Sequence, residues 1–300
     1  MLIKSIRALS SFLRGLRNKH GFNPSALTSG LCNTSIPVYS KAGGLGDELM
    51  AAMAIQCAVA YFPALRFTFY TRFHSLLNGL EGPERVLPLP SSPPQNAIAL
   101  TYVAKQLLSV PAQMAAQLGV SPASFTLTLP ERPVQLPASW PSDGRPIVLI
   151  QTAASGWTPN KQWPSEHWEK LISSLPDSHH VIEIGTKSAL SIPPDHPGWR
   201  SLIGATSLDE YISSFRAASL FIGPISSGMH LSHVYRLPSV IIAGGYEATN
   251  FPYPLARQLG SALTCAPCWL RTPCPYDRRC LQEISPDEVR IAIMKQLSPG

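Results

Sequence analysis

The sequence predicts an α/β protein made of two successive units, each a parallel sheet flanked by helices. Three observations predict it. Apolar strand-like runs alternate with helix-like ones along the 300 residues, which is the rhythm of βαβ units. The rhythm stops at a proline-rich connector, Pro130–Pro146, and then restarts. The second half opens on a continuous apolar run, Pro146–Gln151, as expected where both faces of a parallel sheet are covered.

The length accommodates two domains with cores of their own. A content of 45% hydrophobic and 14% charged residues belongs to a packed chain and not a disordered one. The 30 prolines are about twice the usual share of roughly 5%, and they gather between elements, where they stiffen loops. No apolar run reaches the ~18 residues that a bilayer span needs.

Taken in order, Met1–Phe22 comes first. Lys4, Arg7, Arg14, Arg17 and Lys19 interleave there with Leu2, Ile3, Ile6, Leu9, Leu13 and Leu16, and no Asp or Glu precedes Asp47. A helix over 1–22 would be greasy on one face and cationic on the other, able to lie on an anionic membrane or to pack on its own protein. No long apolar core follows the bases, as a secretory signal would require. Ile36–Ser40 reads as a strand, Lys41–Asp47 as a glycine-rich turn, Leu49–Phe62 as a helix and Arg66–Tyr70 as the next strand. Weaker signals give a strand at Ala97–Leu100, a helix at Tyr102–Leu118 and a last strand at Thr126–Leu129.

The second half opens with the strand Pro146–Gln151. A helix, Trp168–Leu175, follows with Ser165 as its cap; the strand His180–Ile184 comes next. Ser207 caps a helix over Leu208–Ala218, with Asp209 and Glu210 in its first turn. Leu220–Gly223 and Ser239–Ala243 read as strands around a helix at Met229–Tyr235, and Ser285 caps a closing helix, Pro286–Leu297. The expected organisation is a basic helix at 1–22, one Rossmann-like domain at 23–140 and a second at 141–300, the two facing a cleft.

Four places carry chemistry. Cys265, Cys268, Cys274 and Cys280 form a CxxC followed by two further cysteines at short spacing. Four thiolates so close in sequence suit tetrahedral zinc or iron, with disulfides as the alternative. Arg271, Arg278 and Arg279 nearby would favour thiolates. A closed shell of four sulfurs leaves no open position, so such a metal would be structural. Cys32 and Cys57 stand apart as ordinary thiols.

The second place is Gly43-Gly44-Leu45-Gly46-Asp47, at a strand-to-helix turn where glycines allow close backbone approach and the helix start favours negative charge. It is not a dinucleotide fingerprint. Asp47 reads either as a helix cap or as a general base. The third is the loop Thr152–Trp163, whose Ser155, Thr158 and Lys161 could meet a phosphate at the carboxyl edge of the sheet; Trp157 and Trp163 could pack or stack. The fourth is Ser226-Ser227-Gly228-Met229-His230, a helix start able to cradle an anion, in which His230 is either a ligand or a structural histidine.

These pieces in this order resemble glycosyltransferase family 9, the heptosyltransferase family, from about residue 36 to the end. The resemblance rests on GGLGDELMAAMAIQ with RFTFYTR, on KQWPSEHW, on LIGATSLDEYISSFRAASLFIG, on SSGMHLSHVYRLPSVIIAGG and on the terminal CAPC…C…CLQEISPDEV. It implies a GT-B-like fold and an inverting transferase using an ADP-sugar, typically ADP-heptose. Asp47 then matches the family's proposed base, and Lys161 its donor-phosphate lysine. Ser226, Ser227 and Gly228 match its phosphate loop, and His230 the histidine of that motif. Ile225 stands where many members have Asp. The clustered cysteines look closer to autotransporter heptosyltransferases, which hold iron through four cysteines.

The expected partners are a nucleotide-sugar donor and a glycan, lipid-linked or protein acceptor, lipopolysaccharide among them. No catalytic metal is expected. The expected location is the cytoplasm, with residues 1–20 able to hold the chain on the inner face of the membrane. A nucleic-acid partner fits poorly, because the positive charge sits at the N-terminus without interleaved aromatics. Two other readings remain: a non-catalytic nucleotide-sugar binder on the same scaffold, and an interaction module built on the cysteine segment.

Overall fold

The structure is a computed structural model and describes residues 35–104, 108–121, 124–154, 156–247 and 251–297. The basic helix expected over 1–22, Cys32 and Ser155 lie outside these residues.

The chain divides into two compact units, Met1–Glu131 and Arg132–Gly300. The division falls inside the proline-rich connector and not at 140, because the connector is tied to the second unit. Arg132 pairs with Asp209 at 2.7 Å, its carbonyl accepts from the Arg216 guanidinium at 2.7 Å, and the Gln135 N–H donates to Ser213 Oγ at 3.0 Å.

The first unit holds β1 (Ile36–Ser40), α1 (Leu45–Tyr61), β2 (Phe67–Thr71), α2 (His74–Leu77), β3 (Arg85–Pro88), β4 (Ile98–Leu100) and α3 (Val110–Gln117). Its strands run parallel in the order β3-β2-β1-β4. Helix α1 buries a long run of small and flexible side chains, Leu49 to Ile55, beside Val38 and Phe69 of the sheet. Ala and Met let the helix approach closely while filling irregular gaps.

Two expectations fail here for identifiable reasons. The helix expected over Tyr102–Leu118 is only α3, because Pro111 in its first turn sets the start. The backbone before it is held instead by α3 side chains: Thr101 N–H donates to Gln117 Oε1 at 3.2 Å and Val103 N–H to Gln113 Oε1 at 2.9 Å. Thr126–Leu129 is not a strand. Leu127 and Leu129 are buried while Thr126 and Thr128 are exposed, but the Gln56 amide meets the backbone of Thr128 on both sides, at 3.3 and 3.4 Å. The alternation reports one buried face, not a ladder.

The second unit holds β5 (Ile147–Ile150), α4 (Ser165–Ser173), β6 (His180–Glu183), β7 (Trp199–Ser201), α5 (Leu208–Ala217), β8 (Leu220–Pro224), α6 (Ser227–Val234), β9 (Ser239–Gly244), β10 (Ala256–Gly260), α7 (Arg279–Gln282) and α8 (Pro286–Leu297). The sheet is parallel throughout, in the order β10-β9-β8-β5-β6-β7. Strands β5, β8 and β9 are buried along their whole length, which accounts for their unbroken apolar sequences. Val148, Ile150, Ile222, Val240 and Ile242 form a core with Trp163 and Trp168 and with Val289 and Ile293 of α8. Ser207 and Glu210 close a capping box on α5. Ser165 opens α4 as its first residue and not as its cap.

Each sheet has one place where the strand order reverses. In the first it lies between β1 and β4, in the second between β5 and β8. Open α/β sheets bind ligands beyond the carboxyl ends of the strands at such points. The glycine turn follows β1, the Lys161 loop follows β5, and the Ser226 turn follows β8. Three of the four chemically marked segments thus leave a sheet where a ligand site is expected. Both sheets, wholly parallel and flanked by helices, form the paired Rossmann-like units of a GT-B-like fold.

Candidate functional site

In the first unit, α1 begins at Leu45, which places Asp47 in its first turn. The Gly44 N–H donates to Asp47 Oδ2 at 3.1 Å, so the carboxylate helps satisfy the helix start. The neighbouring Glu48 is fully buried. Its Oε1 meets the Arg72 guanidinium at 3.3 Å, and the same guanidinium donates to the Ser40 carbonyl at 2.9 Å. Burial pushes the Glu48 carboxyl above its ordinary 4.5, with the Thr71 hydroxyl and Arg72 acting against that.

Gly43 explains why this turn needs glycine. Its φ is +80°, and an added Cβ would stand 2.6 Å from Arg72 Nη1. The turn therefore lies close against the Arg72 guanidinium. Sequence reasoning missed both Arg72 and Glu48; the signal was an acid inside an otherwise apolar helix. Gly46 lies within the first turn of α1 itself.

In the second unit, Lys161 closes a short 3-10 turn, Pro159–Lys161, that opens on Thr158. Its Nζ approaches the Ile225 carbonyl at 3.4 Å, just before the start of α6. The ammonium also pairs with the Glu247 carboxylate and stands 4.9 Å from the centre of the Tyr246 ring. Lys161 and Glu247 are both largely buried, so the pair is screened little. Lys161 and the α6 start, foreseen separately, thus come together. Glu247 and Tyr246, which follow β9, were not foreseen; their position past the carboxyl end of a central strand was the available clue.

Ser226 precedes α6 but does not cap it with its side chain. Its hydroxyl donates instead to Gln151 Oε1 at 3.1 Å, and that oxygen also takes the Tyr211 hydroxyl at 3.3 Å. The Tyr211 hydroxyl lies 3.2 Å from Ser227 Oγ, and burial raises its pKa to about 12. Gly228 sits where no side chain fits: a Cβ there would be 2.4 Å from Phe221 Cζ and 2.7 Å from Gln151 Oε1.

His230 is buried, with Nδ1 2.7 Å from the Tyr253 hydroxyl and its ring edge-on to Phe251. Burial first, then the Lys161 and His233 charges, push its pKa down to about 3. It is neutral near pH 7. The geometry is that of a partnered structural histidine lying close enough to Lys161 to feel its charge. Trp163 packs in the core and donates to the Ile284 carbonyl at 2.9 Å. Trp157, 47% exposed, donates to Tyr246 Oη at 2.9 Å and carries the Arg271 guanidinium 4.0 Å from its ring centre.

Cys265, Cys268, Cys274 and Cys280 are all free thiols. The segment closes onto the end of β9, where Cys268 N–H donates to the Gly245 carbonyl at 2.9 Å. A Cβ at Gly245 would stand 3.3 Å from Cys280 Sγ. Burial raises the Cys280 pKa, and negative charge on Cys268, Cys274 and Cys265 raises it further. The four donors therefore share a neighbourhood, and their chemistry suits Zn or Fe. Among the described residues, however, no group of three or more Cys, His, Asp or Glu side chains stands ready to hold an ion. The arginines expected to favour thiolates are engaged elsewhere, Arg278 with the Gln162 carbonyl and Arg279 with Glu283, and Arg271 on Trp157.

Comparison with known proteins now decides the family. The profile of Glycosyltransferase family 9 (heptosyltransferase) matches residues 95–274. The chain belongs to glycosyltransferase family 9. Lipooligosaccharide heptosyltransferase 2 of Campylobacter jejuni subsp. jejuni serotype O:6 is 24% identical over 170 residues, 52% of this chain and 53% of that protein. The chain spans about half the length of the curated relatives it matches.

Solved structures that share the fold include two from E. coli. One is the iron-containing dodecameric glycosyltransferase TibC from enterotoxigenic E. coli H10407, at TM-score 0.68 and 19% identity, covering 87% of this chain and 76% of that one. TibC has also been solved with ADP-D-beta-D-heptose. The other is the E. coli ADP-heptose lps heptosyltransferase II, at TM-score 0.59 and 16% identity, covering 88% and 98%. Among the described residues no helix is long and apolar enough to cross a membrane.

Proposed function

We propose that this chain is an inverting glycosyltransferase that moves a sugar, heptose in the first instance, from an ADP-sugar to a hydroxyl acceptor on lipopolysaccharide, another glycan or a protein. The observation that carries the reading is Lys161 beside the start of α6, at the strand-order reversal of the second sheet, in a chain of family 9. An ammonium and a helix N-terminus together suit a diphosphate.

In a single displacement, Asp47 takes the proton of the acceptor hydroxyl while its oxygen forms the new bond to the anomeric carbon. The bond from that carbon to the donor phosphate breaks on the opposite face. The nucleoside diphosphate leaves with the electron pair, its charge met by Lys161 and by the backbone at Ser226, Ser227 and Gly228. His230, neutral and partnered, would support that helix start and not carry charge to it. No catalytic metal is required by this scheme. Cys265, Cys268, Cys274 and Cys280 would hold one Fe or Zn ion that stabilises the loops around it. Residues 1–20 would keep the enzyme at an anionic membrane where the acceptor is lipid-linked.

The test is a panel of ADP- and GDP-sugars scored by protection against thermal unfolding, followed by transfer assays. Donor protection is expected, and its absence with every sugar nucleotide would sink the proposal. Asp47→Ala should abolish transfer while keeping that protection. One observation favours a second reading, a non-catalytic nucleotide-sugar binder: the Lys161 ammonium is already paired with the Glu247 carboxylate. Such a binder would show protection and no transfer even before mutation.

A further inference from the structure

Lys161 is short of support from its own turn, which spans only three residues. Its support comes from the cysteine segment. Asn160 is buried, and its amide nitrogen donates to two carbonyls between Cys268 and Cys274, Leu270 and Thr272, each at 2.8 Å. The Thr158 hydroxyl donates to the same Leu270 carbonyl at 2.9 Å and accepts the Asn160 N–H at 3.1 Å. On the other side of Lys161, the Gln162 carbonyl accepts from Arg278 at 3.1 Å. Both flanks of the lysine are therefore fastened to the stretch that runs from Cys268 to Cys280.

We propose that Asn160 is a positioning residue, clamping the backbone between Cys268 and Cys274 onto the lysine loop and so fixing where the Lys161 ammonium meets donor phosphate. The inference rests on the reading of Lys161 given above and adds a residue and a route to it. One amide that bridges two carbonyls of a neighbouring loop sets both the spacing and the orientation of the two segments. Glu247 and the Ile225 carbonyl hold the ammonium at its tip, and the backbone beneath the flexible four-carbon stem sets how far that tip reaches. By this route the cysteine segment, remote in sequence, becomes the wall against which the phosphate-binding loop is set.

The experiment is a double-mutant cycle read by calorimetric titration of ADP into the full chain. Asn160→Ala is expected to weaken ADP binding on the order of tenfold, the scale of losing two hydrogen bonds. In a Lys161→Ala background the same change should cost less than about twofold, because there is no ammonium left to place. A purely structural Asn160 would weaken binding equally in both backgrounds, and that result overturns the proposal, as does an unchanged affinity in Asn160→Ala. Where Asn160→Ala does not fold, Thr158→Val tests the same clamp, with a several-fold loss expected and the same dependence on Lys161. If the unmutated chain binds neither ADP nor GDP nor UDP, the donor-site reading itself falls and takes this inference with it. An intact titration with additive mutants sinks the clamp alone.

Discussion

At the scale of single residues, His230 offers the sharpest test. Its ring is buried and held neutral by its surroundings, whereas in the unfolded chain it titrates at the ordinary 6.5. The folded state refuses a proton that the unfolded state accepts, so the unfolded chain binds more protons below 6.5. The stability this contributes is complete above pH 6.5 and is lost as the pH falls from 6.5 toward about 3. His230→Asn keeps a polar partner for Tyr253 but cannot titrate. Urea denaturation at pH 7.5 and pH 4.5 should show a smaller acid loss in the variant, at a cost of roughly 1–2 kcal/mol at the higher pH. Parallel losses in both proteins would place the titration elsewhere. The sequence could mark His230 as interesting but not decide its role, because Tyr253 and Phe251 reach it from over twenty residues away. The loop that places Lys161 after β5 could be read in the sequence; the lysine's Glu247 partner, a long way along the chain, could not.

At the scale of elements, the junction of β8 and α6 leaves no room for a side chain. Phe221 and Gln151 fill the space that a side chain on Gly228 would need. Gly228→Ala should therefore push the start of α6 away from the sheet, costing roughly 1–3 kcal/mol by overpacking. A lowered melting temperature together with weakened ADP binding is the expected result; a fall in melting temperature alone would separate the helix start from the ligand. The central strands were readable because burial on both faces leaves an unbroken apolar sequence. Strands β3, β7 and β10 were not, since at the sheet edges they are partly exposed and carry Arg, Gln and Ser. Thr126–Leu129 erred in the opposite direction, because a buried face alternates in sequence whether or not a neighbouring strand pairs with it.

At the scale of the whole molecule, the two units have separate cores, and Lys161, the α6 start and all four cysteines belong to residues 132–300. A fragment of those residues should unfold cooperatively and bind ADP with the affinity of the full chain, as measured by calorimetry. Weaker binding by a well-folded fragment would show that the first unit contributes to the donor. The two-unit plan was legible from the restart of the strand–helix rhythm, but its boundary was not, since proline content alone does not say which unit the connector packs on. One last consequence concerns transplantation. The cysteine segment docks on Gly244 and Gly245, where a Cβ would meet Leu281 Cδ2 at 2.5 Å and Cys280 Cβ at 3.2 Å. Gly244 also has a φ of +58°, awkward for other residues. The segment is therefore not a portable cassette: anyone grafting it onto a different parallel sheet must carry over the diglycine at the end of β9, and the Asn160 loop beside it.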